Sequence, residues 1–374
     1  MALKRRRIQA AVIFLLFIIY FLIAARPIPY ETVLVFRWIS PLEIESQVSI
    51  DSTGASGRLF PFTLGSRFGY VDTSGQFAIN RIKSGNIYLG ENMYSEYPPQ
   101  PLNIEIKNVL EETILNIENP KGYPVLLDNR VFLFGSEQNS LSEIGVGGSV
   151  LWTYEFGAPI TCIDAAAGLL FTGSLDGVIE ILDSNGNRVY YFEPGGSRYE
   201  VILGCAISHD GSYIGVISGI EPQRFMLFER TGSGEYRIFH HEFLETGFRR
   251  PVRIFFINED RKIVFERAGG IGCFNIRYRR TVNIPLDGEI AAVENSGDQD
   301  LLFLVTSRVQ GQNELIGLKL PEDRRFSFFS SSNTRNVIFI RASFKSNDIF
   351  LSRNGSMIVA GGGTALISFD LGEK

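Results

Sequence analysis

Short apolar runs cut by glycine-bearing turns dominate the chain. The clearest set lies between Gly148 and Gly195, where SVLWTYEF, ITCID, LLFTGS, VIEILD and NRVYYFE follow one another. β-branched and aromatic residues fill these runs, and runs so short and so composed predict strands rather than helices. The stretch reads as about one blade-like unit plus the strand on either side of it. Weaker copies lie before and after it, and long segments of helical period are scarce beyond the N-terminal region.

Two signatures recur. One is a hairpin ending in an acid and a glycine: Val71-Asp72-Thr73-Ser74-Gly75 matches Leu182-Asp183-Ser184-Asn185-Gly186, with looser copies at Phe228-Glu229 to Gly232 and Phe369-Asp370 to Gly372. The other is a turn before an apolar strand, in which Ser208-His209-Asp210-Gly211-Ser212 aligns with Ser352-Arg353-Asn354-Gly355-Ser356. Glu229 follows Asp183 by 46 residues, Asp370 follows Glu229 by three steps of 47, and Gly211 and Gly355 stand three steps of 48 apart, a period that means propeller blades of about four strands. A blade cannot bury both faces alone, so blades stack around an axis. The fold expected is all-β, a single β-propeller of about seven four-stranded blades, with eight as the alternative. The blades are placed near 50–85, 120–157, 160–197, 200–245, 251–286, 289–330 and 335–374. Residues 86–119, with the Tyr- and Pro-rich ENMYSEYPPQPLN, fall outside this pattern and read as an irregular insertion or degenerate blade. Tyr94 and Tyr97 within it form a candidate rim loop.

The N-terminal region has a different pattern. Lys4, Arg5, Arg6 and Arg7 precede an apolar run from Ile8 to Ala25 in which Gln9 is the one strongly polar residue. As a helix that run spans roughly 27 Å, close to the hydrocarbon thickness of a bilayer. Cations before the span predict a cytoplasmic N-terminus and an extracytoplasmic propeller, periplasmic in a bacterium. A cleaved signal peptide, whose apolar region is shorter, is the competing reading. The organisation expected is a basic tip and transmembrane signal anchor over 1–26, a linker with a ring-closing strand over 27–45, and a propeller over 46–374.

Charge and composition narrow the function. The formal net charge is −5, yet residues 1–26 hold five cations and no acid, so the remainder is more acidic still. It lacks the basic footprint of a nucleic-acid binder. Cys162, Cys205 and Cys273 stand far apart and read as small buried strand residues; a disulfide requires two of them on neighbouring strands. No G-x-S-x-G elbow is present, and the glycine runs at Gly269–Gly272 and Gly361–Gly363 lack the Lys-Ser/Thr of a phosphate loop. Asp183 to Asn187 has oxygen donors at calcium-like spacing but no downstream Glu, and reads as a hairpin turn. His240 and His241 are adjacent in a predicted strand and face opposite sides. No catalytic, metal or cofactor residues are assigned.

One local charge excess remains. Between Arg249 and Arg280 lie nine cations, among them Arg249, Arg250, Arg253, Arg277, Arg279 and Arg280, opposed by Glu259, Asp260 and Glu266. They form a candidate docking patch for an acidic protein, headgroup or glycan. The alternative is a set of scattered, solvated outward positions.

The unit around Trp152, Gly173, Asp176, Gly177, Asp183 and Gly186 resembles the PQQ-like, quinoprotein-type propeller repeat, in which a Trp ends one blade and an S-x-D-G…L-D-x-x-G hairpin follows. The Ser208–Val216 segment is similar to a WD-type blade. For quinoprotein dehydrogenases the resemblance implies a quinone, an axial calcium, an Asp base and in some members a vicinal cysteine pair. This chain has no adjacent cysteines and only Trp38 and Trp152. A distant similarity to BamB-type propellers implies a scaffold role in outer-membrane protein assembly. The function expected is therefore non-enzymatic and cofactor-free: a membrane-anchored interaction scaffold with envelope proteins as partners. The alternatives are an anchored receptor for a small molecule, glycan or peptide at a rim and, more remotely, a quinoprotein dehydrogenase.

Overall fold

The computed structural model describes residues 13–18, 20, 32–43, 58–245, 247–294, 300–308, 311–320 and 337–373. Their strands form eight antiparallel sheets arranged as the blades of one propeller. Blades 1 to 7 occupy 60–82, 86–118, 122–155, 160–192, 199–244, 254–285 and 289–345. Blade 8 combines 349–373 with Thr32–Pro41, which supplies its outermost strand. Seven blades show four strands, and blade 1 shows three among the described residues. The inner strand Ile349–Asn354 of blade 8 adjoins Phe60–Leu64 of blade 1, which brings the ring back to its start.

The count is eight, not the seven that the repeats suggested. Residues 86–119 are no insertion; they form a complete blade from Asn86–Leu89, Met93–Tyr97, Asn103–Asn108 and Thr113–Glu118. The last two blades also divide differently. Ile338–Lys345 pairs with Gln312–Lys319 and so ends blade 7, and Thr32–Pro41 replaces it in blade 8. Of the predicted span Ile8–Ala25, Ile13–Ile18 and Tyr20 are described as helical and exposed, and the rest lies outside the described residues. Among the described residues no helix is long and apolar enough to cross a membrane.

Burial explains the strand order within a blade. The second strand Leu169–Ser174 is buried along its whole length, because neighbouring blades cover both faces. Fourth strands such as Val150–Glu155 alternate and show one face to water. Between blades the contacts are aromatic and aliphatic. Phe225 of blade 5 stacks on Phe265 of blade 6 at 4.3 Å, with Phe274 at 5.8 Å. Each such ring contributes about 1.5–3 kcal/mol by leaving water.

A second device locks blade to blade. The Trp152 indole N–H of blade 3 donates to Ser184 O of blade 4 at 3.2 Å, and Trp38 Nε1 of the closing strand donates to Thr73 O of blade 1 at 3.0 Å. Both carbonyls lie in D-x-x-G turns. The aspartate side chain caps each turn: Asp183 Oδ1 accepts Asn185 N–H at 2.8 Å and Asn187 N–H at 2.9 Å. Gly186, at φ +79°, has its missing Cβ 2.6 Å from the Trp152 ring, so both the left-handed backbone and the packed indole require glycine. The Asp183 carboxylate is thus committed to its own turn.

An acid also bridges blades near the axis. Asp164 on the inner strand of blade 4 accepts N–H bonds from Ala165 and, across the seam, from Ile207 of blade 5, both at 2.9 Å. Burial pushes its carboxyl from 3.8 up to about 6, against the pull of those donors. The native state therefore holds a proton that the unfolded chain releases between these values, and stability falls as pH rises through that window. Wild type should lose about 1–3 kcal/mol relative to Asp164→Asn between the two pH values. Urea midpoints of both chains across the window check this. Parallel curves would show that Asp164 titrates as in the unfolded chain.

Candidate functional site

Strands alternate in direction, so connections alternate between the two faces of the ring. We call top the face carrying the first-to-second and third-to-fourth turns, and bottom the face carrying the second-to-third turns and the links between blades. This alternation divides the arginine-rich segment. Arg249, Arg250 and Arg253 lie in the bottom link between blades 5 and 6, whereas Arg277 and Arg279 lie in the top hairpin 276–279 and Arg280 opens the strand after it.

The bottom group is paired within the protein, Arg250 and Arg253 in part-buried contacts and Arg249 at the surface. Arg250 grips Glu266 through Nη2–Oε1 at 2.6 Å and Nη1–Oε2 at 3.1 Å, and its guanidinium lies 4.4 Å from the Phe248 ring centroid. Arg253 donates to Ile290 O and, at 2.8 Å, to Ala291 O of blade 7. Arg249 pairs with Glu221 at 2.7 Å. Tyr94 and Tyr97 are likewise core residues, not rim residues: Tyr94 is 2% exposed and packs with Phe68, Tyr70 and Ile79, and Tyr97 packs with Ile104 and Ile106.

The top group borders a cleft of about 540 Å³ between blades 5 and 6, lined by Tyr213, Phe239, Asp260, Arg261, Ile276, Arg277 and Arg279. Tyr213 and Phe239 meet edge to face at 5.7 Å and make its aromatic wall. The Arg279 guanidinium sits 4.0 Å from the Phe239 ring centroid, and that of Arg277 sits 5.7 Å from Tyr278. Both arginines are exposed, and neither has a carboxylate partner among the described residues. Arg261 pairs with Glu259.

The cleft loop is strained. Asn258, Glu259 and Asp260 follow one another at φ +57°, +51° and +60°, and Arg279 stands at +51°. Each non-glycine residue in this region costs about 1 kcal/mol, and such strain gathers at functional sites. Hydrogen bonds hold the loop: Asp260 Oδ2 accepts His209 N–H at 2.8 Å, and Asn258 Nδ2 donates to Asp300 at 2.6 Å. Burial, with Asp210 nearby, raises the Asp260 carboxyl above its ordinary value, and the His209 N–H opposes this. Among the residues lining the cleft, Asp260 is the one acid.

A second cleft, about 330 Å³ and lined by Arg308, Glu314 and Lys345 among others, differs in kind. Its Arg308 is shared between Asp287 at 3.3 Å and Glu314 at 3.7 Å, so its charge is already answered. The histidines build no joint site. His240 stacks on Phe274 at 4.3 Å, and His241 meets Phe243 edge-on at 6.3 Å. Of the cleft residues, sequence reasoning picked out Arg277 and Arg279 and missed Tyr213 and Phe239, which have the ordinary look of strand aromatics.

Eight stacked antiparallel blades, with the N-terminal strand completing the last, define a β-propeller. A family model described as beta-propeller protein matches residues 1–374, and the chain belongs to that family. It is similar to an uncharacterized protein of Treponema pallidum (strain Nichols), 27% identical over 252 residues, a match covering 67% of this chain and 66% of that relative. The chain thus spans just under two thirds of that relative's length. Among solved structures it is similar to BamB from Moraxella catarrhalis, with TM-score 0.55 and 11% identity over 91% of this chain and 98% of that one. It is also similar to the computationally designed Ika8 protein, with TM-score 0.56 and 10% identity over 85% and 98%. At such identities the likeness is one of fold.

Proposed function

We propose that this propeller is a non-enzymatic interaction platform that docks an acidic segment of a partner protein in the top cleft between blades 5 and 6. The observation that carries this reading is the pairing of Arg277 and Arg279, which lack carboxylate partners among the described residues, with the Tyr213–Phe239 wall. Arginine and aromatic side chains are the groups that anchor protein interfaces, and arginine grips carboxylates through two parallel bonds. The fold likeness to BamB supports an envelope setting. The basic tip Lys4–Arg7 and the apolar run Ile8–Ala25 support a membrane anchor with the propeller on the extracytoplasmic side. The closing strand begins at Thr32, paired with Glu373 at the top end of blade 8, so a tether entering there joins the propeller on the cleft's side.

The test is anisotropy of a fluorescent Glu- and Tyr-rich peptide with the full chain in detergent, beside Arg277→Glu/Arg279→Glu. Binding should weaken at least about tenfold in the variant and fall with added salt. Crosslinking in the native membrane should then recover a partner with wild type and lose it with the variant. Equal peptide affinity for both chains would sink the docking reading. Selective binding of a small anion, with the peptide ignored, would turn it into a ligand pocket.

A further inference from the structure

The inner seam between blades 4 and 5 holds two cysteines that the docking reading does not use. Cys162 lies on Ile160–Ala166 and Cys205 on Tyr199–Ile207, the adjoining inner strands of the two blades. Both side chains converge over the same second strand, Leu169–Ser174. Cys162 pairs across from Gly173, whose missing Cβ would stand 2.8 Å from the Cys162 sulfur. Cys205 Sγ lies 3.9 Å from Phe171 O, two residues along that strand. A side chain at Gly173 would fill the space that Cys162 Sγ occupies beside Cys205. The two cysteines share one packed cluster and line one cleft of about 270 Å³, whereas Cys273 is buried in a different cluster with blade 7.

We propose that Cys162 and Cys205 are a dithiol–disulfide pair that closes across the seam on oxidation and staples blade 4 to blade 5. Cys162 is the partly exposed member and meets the oxidant; Cys205 is buried and resolves. With a low-molecular-weight disulfide as oxidant, the Cys162 thiolate attacks one of its sulfurs and releases one thiolate. Cys205 gives its proton to solvent, attacks the Cys162 sulfur of the mixed disulfide and releases the second thiolate. Two protein thiols are oxidised and one small disulfide is reduced to two thiols. Burial and the neighbouring Cys162 thiol push the Cys205 thiol up, so the second step is slow and quickens as pH rises. A staple that holds the native seam and constrains the unfolded chain raises stability. None of this depends on what the top cleft binds.

The full chain is incubated with oxidised glutathione at mildly alkaline pH, digested without reduction and read by mass spectrometry. The expected result is a peptide pair joined through Cys162 and Cys205, in wild type and in Cys273→Ser alike. Cys205→Ala should stop at a glutathione adduct on Cys162, and dithiothreitol should return the urea midpoint of oxidised wild type to its starting value. A wild-type chain that keeps the adduct, links either residue to Cys273, or does not react under these conditions overturns the pair.

Discussion

A chain that begins at Leu42 will not form a stable monomeric propeller. Its loss is larger than one strand. Thr32–Pro41 pairs with Ala365–Glu373 over nine residue pairs, so its removal leaves the last strand of blade 8 as a long free edge. Such an edge pairs readily with other chains. Two locks to blade 1 go with it: the Trp38 indole bond to Thr73 O, and the Ser40 hydroxyl bond to Gly75 O at 2.6 Å. The Arg37 Nε bond to Asp370 at 2.6 Å is lost as well. Among the described residues the ring is then held by the contacts of Phe60–Leu64 with Ile349–Asn354 and Met357–Gly362 and by the Arg58 bond to Asn354 at 3.4 Å. Size-exclusion profiles should show oligomers or aggregate, and the cooperative thermal transition should vanish. A synthetic peptide covering residues 27–43, added in trans, should restore a monomeric complex. A truncated chain that stays monomeric with the wild-type transition would mean that the ring is closed elsewhere.

What the sequence disclosed of this architecture depended on how each blade spells one turn. The third-to-fourth hairpin carries a register shift in blades 1, 2, 3, 4, 5 and 7, with the matching shift at Phe36/Trp38 in blade 8. Where it is written D-x-x-G, as at Asp72 and Asp183, the repeat is plain. Blade 2 makes the same turn with other residues. Asn108 Oδ1 accepts Leu110 and Glu112 N–H, both at 2.9 Å, in the aspartate's place, and Glu111 takes the glycine's place at φ +65°. Its carboxylate pairs with Arg81 at 2.5 Å. A turn without glycine gave no period to read, and so residues 86–119 looked like an insertion. Tyr94 looked like a rim residue for the same reason: once Met93–Tyr97 is a second strand, alternation turns it toward blade 1.

The candidate site was legible only in part because its residues meet across a seam. The nine cations between Arg249 and Arg280 are close in sequence, but antiparallel strands carry them to opposite faces of the ring. Tyr213 and Phe239 come from a different blade and join Arg277 and Arg279 only when blades 5 and 6 stack. A charge count along the chain cannot separate an arginine over an aromatic ring in water from one holding a buried glutamate. Burial of the partner makes the distinction.

Arg250 is where that distinction has its largest effect. Glu266 is 3% exposed, and besides its two bonds from Arg250 it accepts the Arg253 backbone N–H at 3.4 Å. Arg250→Ala leaves this carboxylate buried with its countercharge gone. Breaking a buried pair costs several kcal/mol; with the outer side of Arg250 in water, about 2–3 kcal/mol is expected here. Arg277→Ala removes a guanidinium that no carboxylate among the described residues needs, and should change stability by less than about 0.5 kcal/mol. The two truncations, measured side by side by urea unfolding, thus separate a structural arginine from a binding one. The double variant Arg250→Met/Glu266→Gln sharpens the test. Methionine can still cover Phe248, and a neutral amide no longer requires a cation, so stability should return to within about 1 kcal/mol of wild type. If Arg250→Ala is as mild as Arg277→Ala, the Glu266 carboxylate has water or another donor in solution. The bottom arginines would then be as free to meet a partner as the top ones.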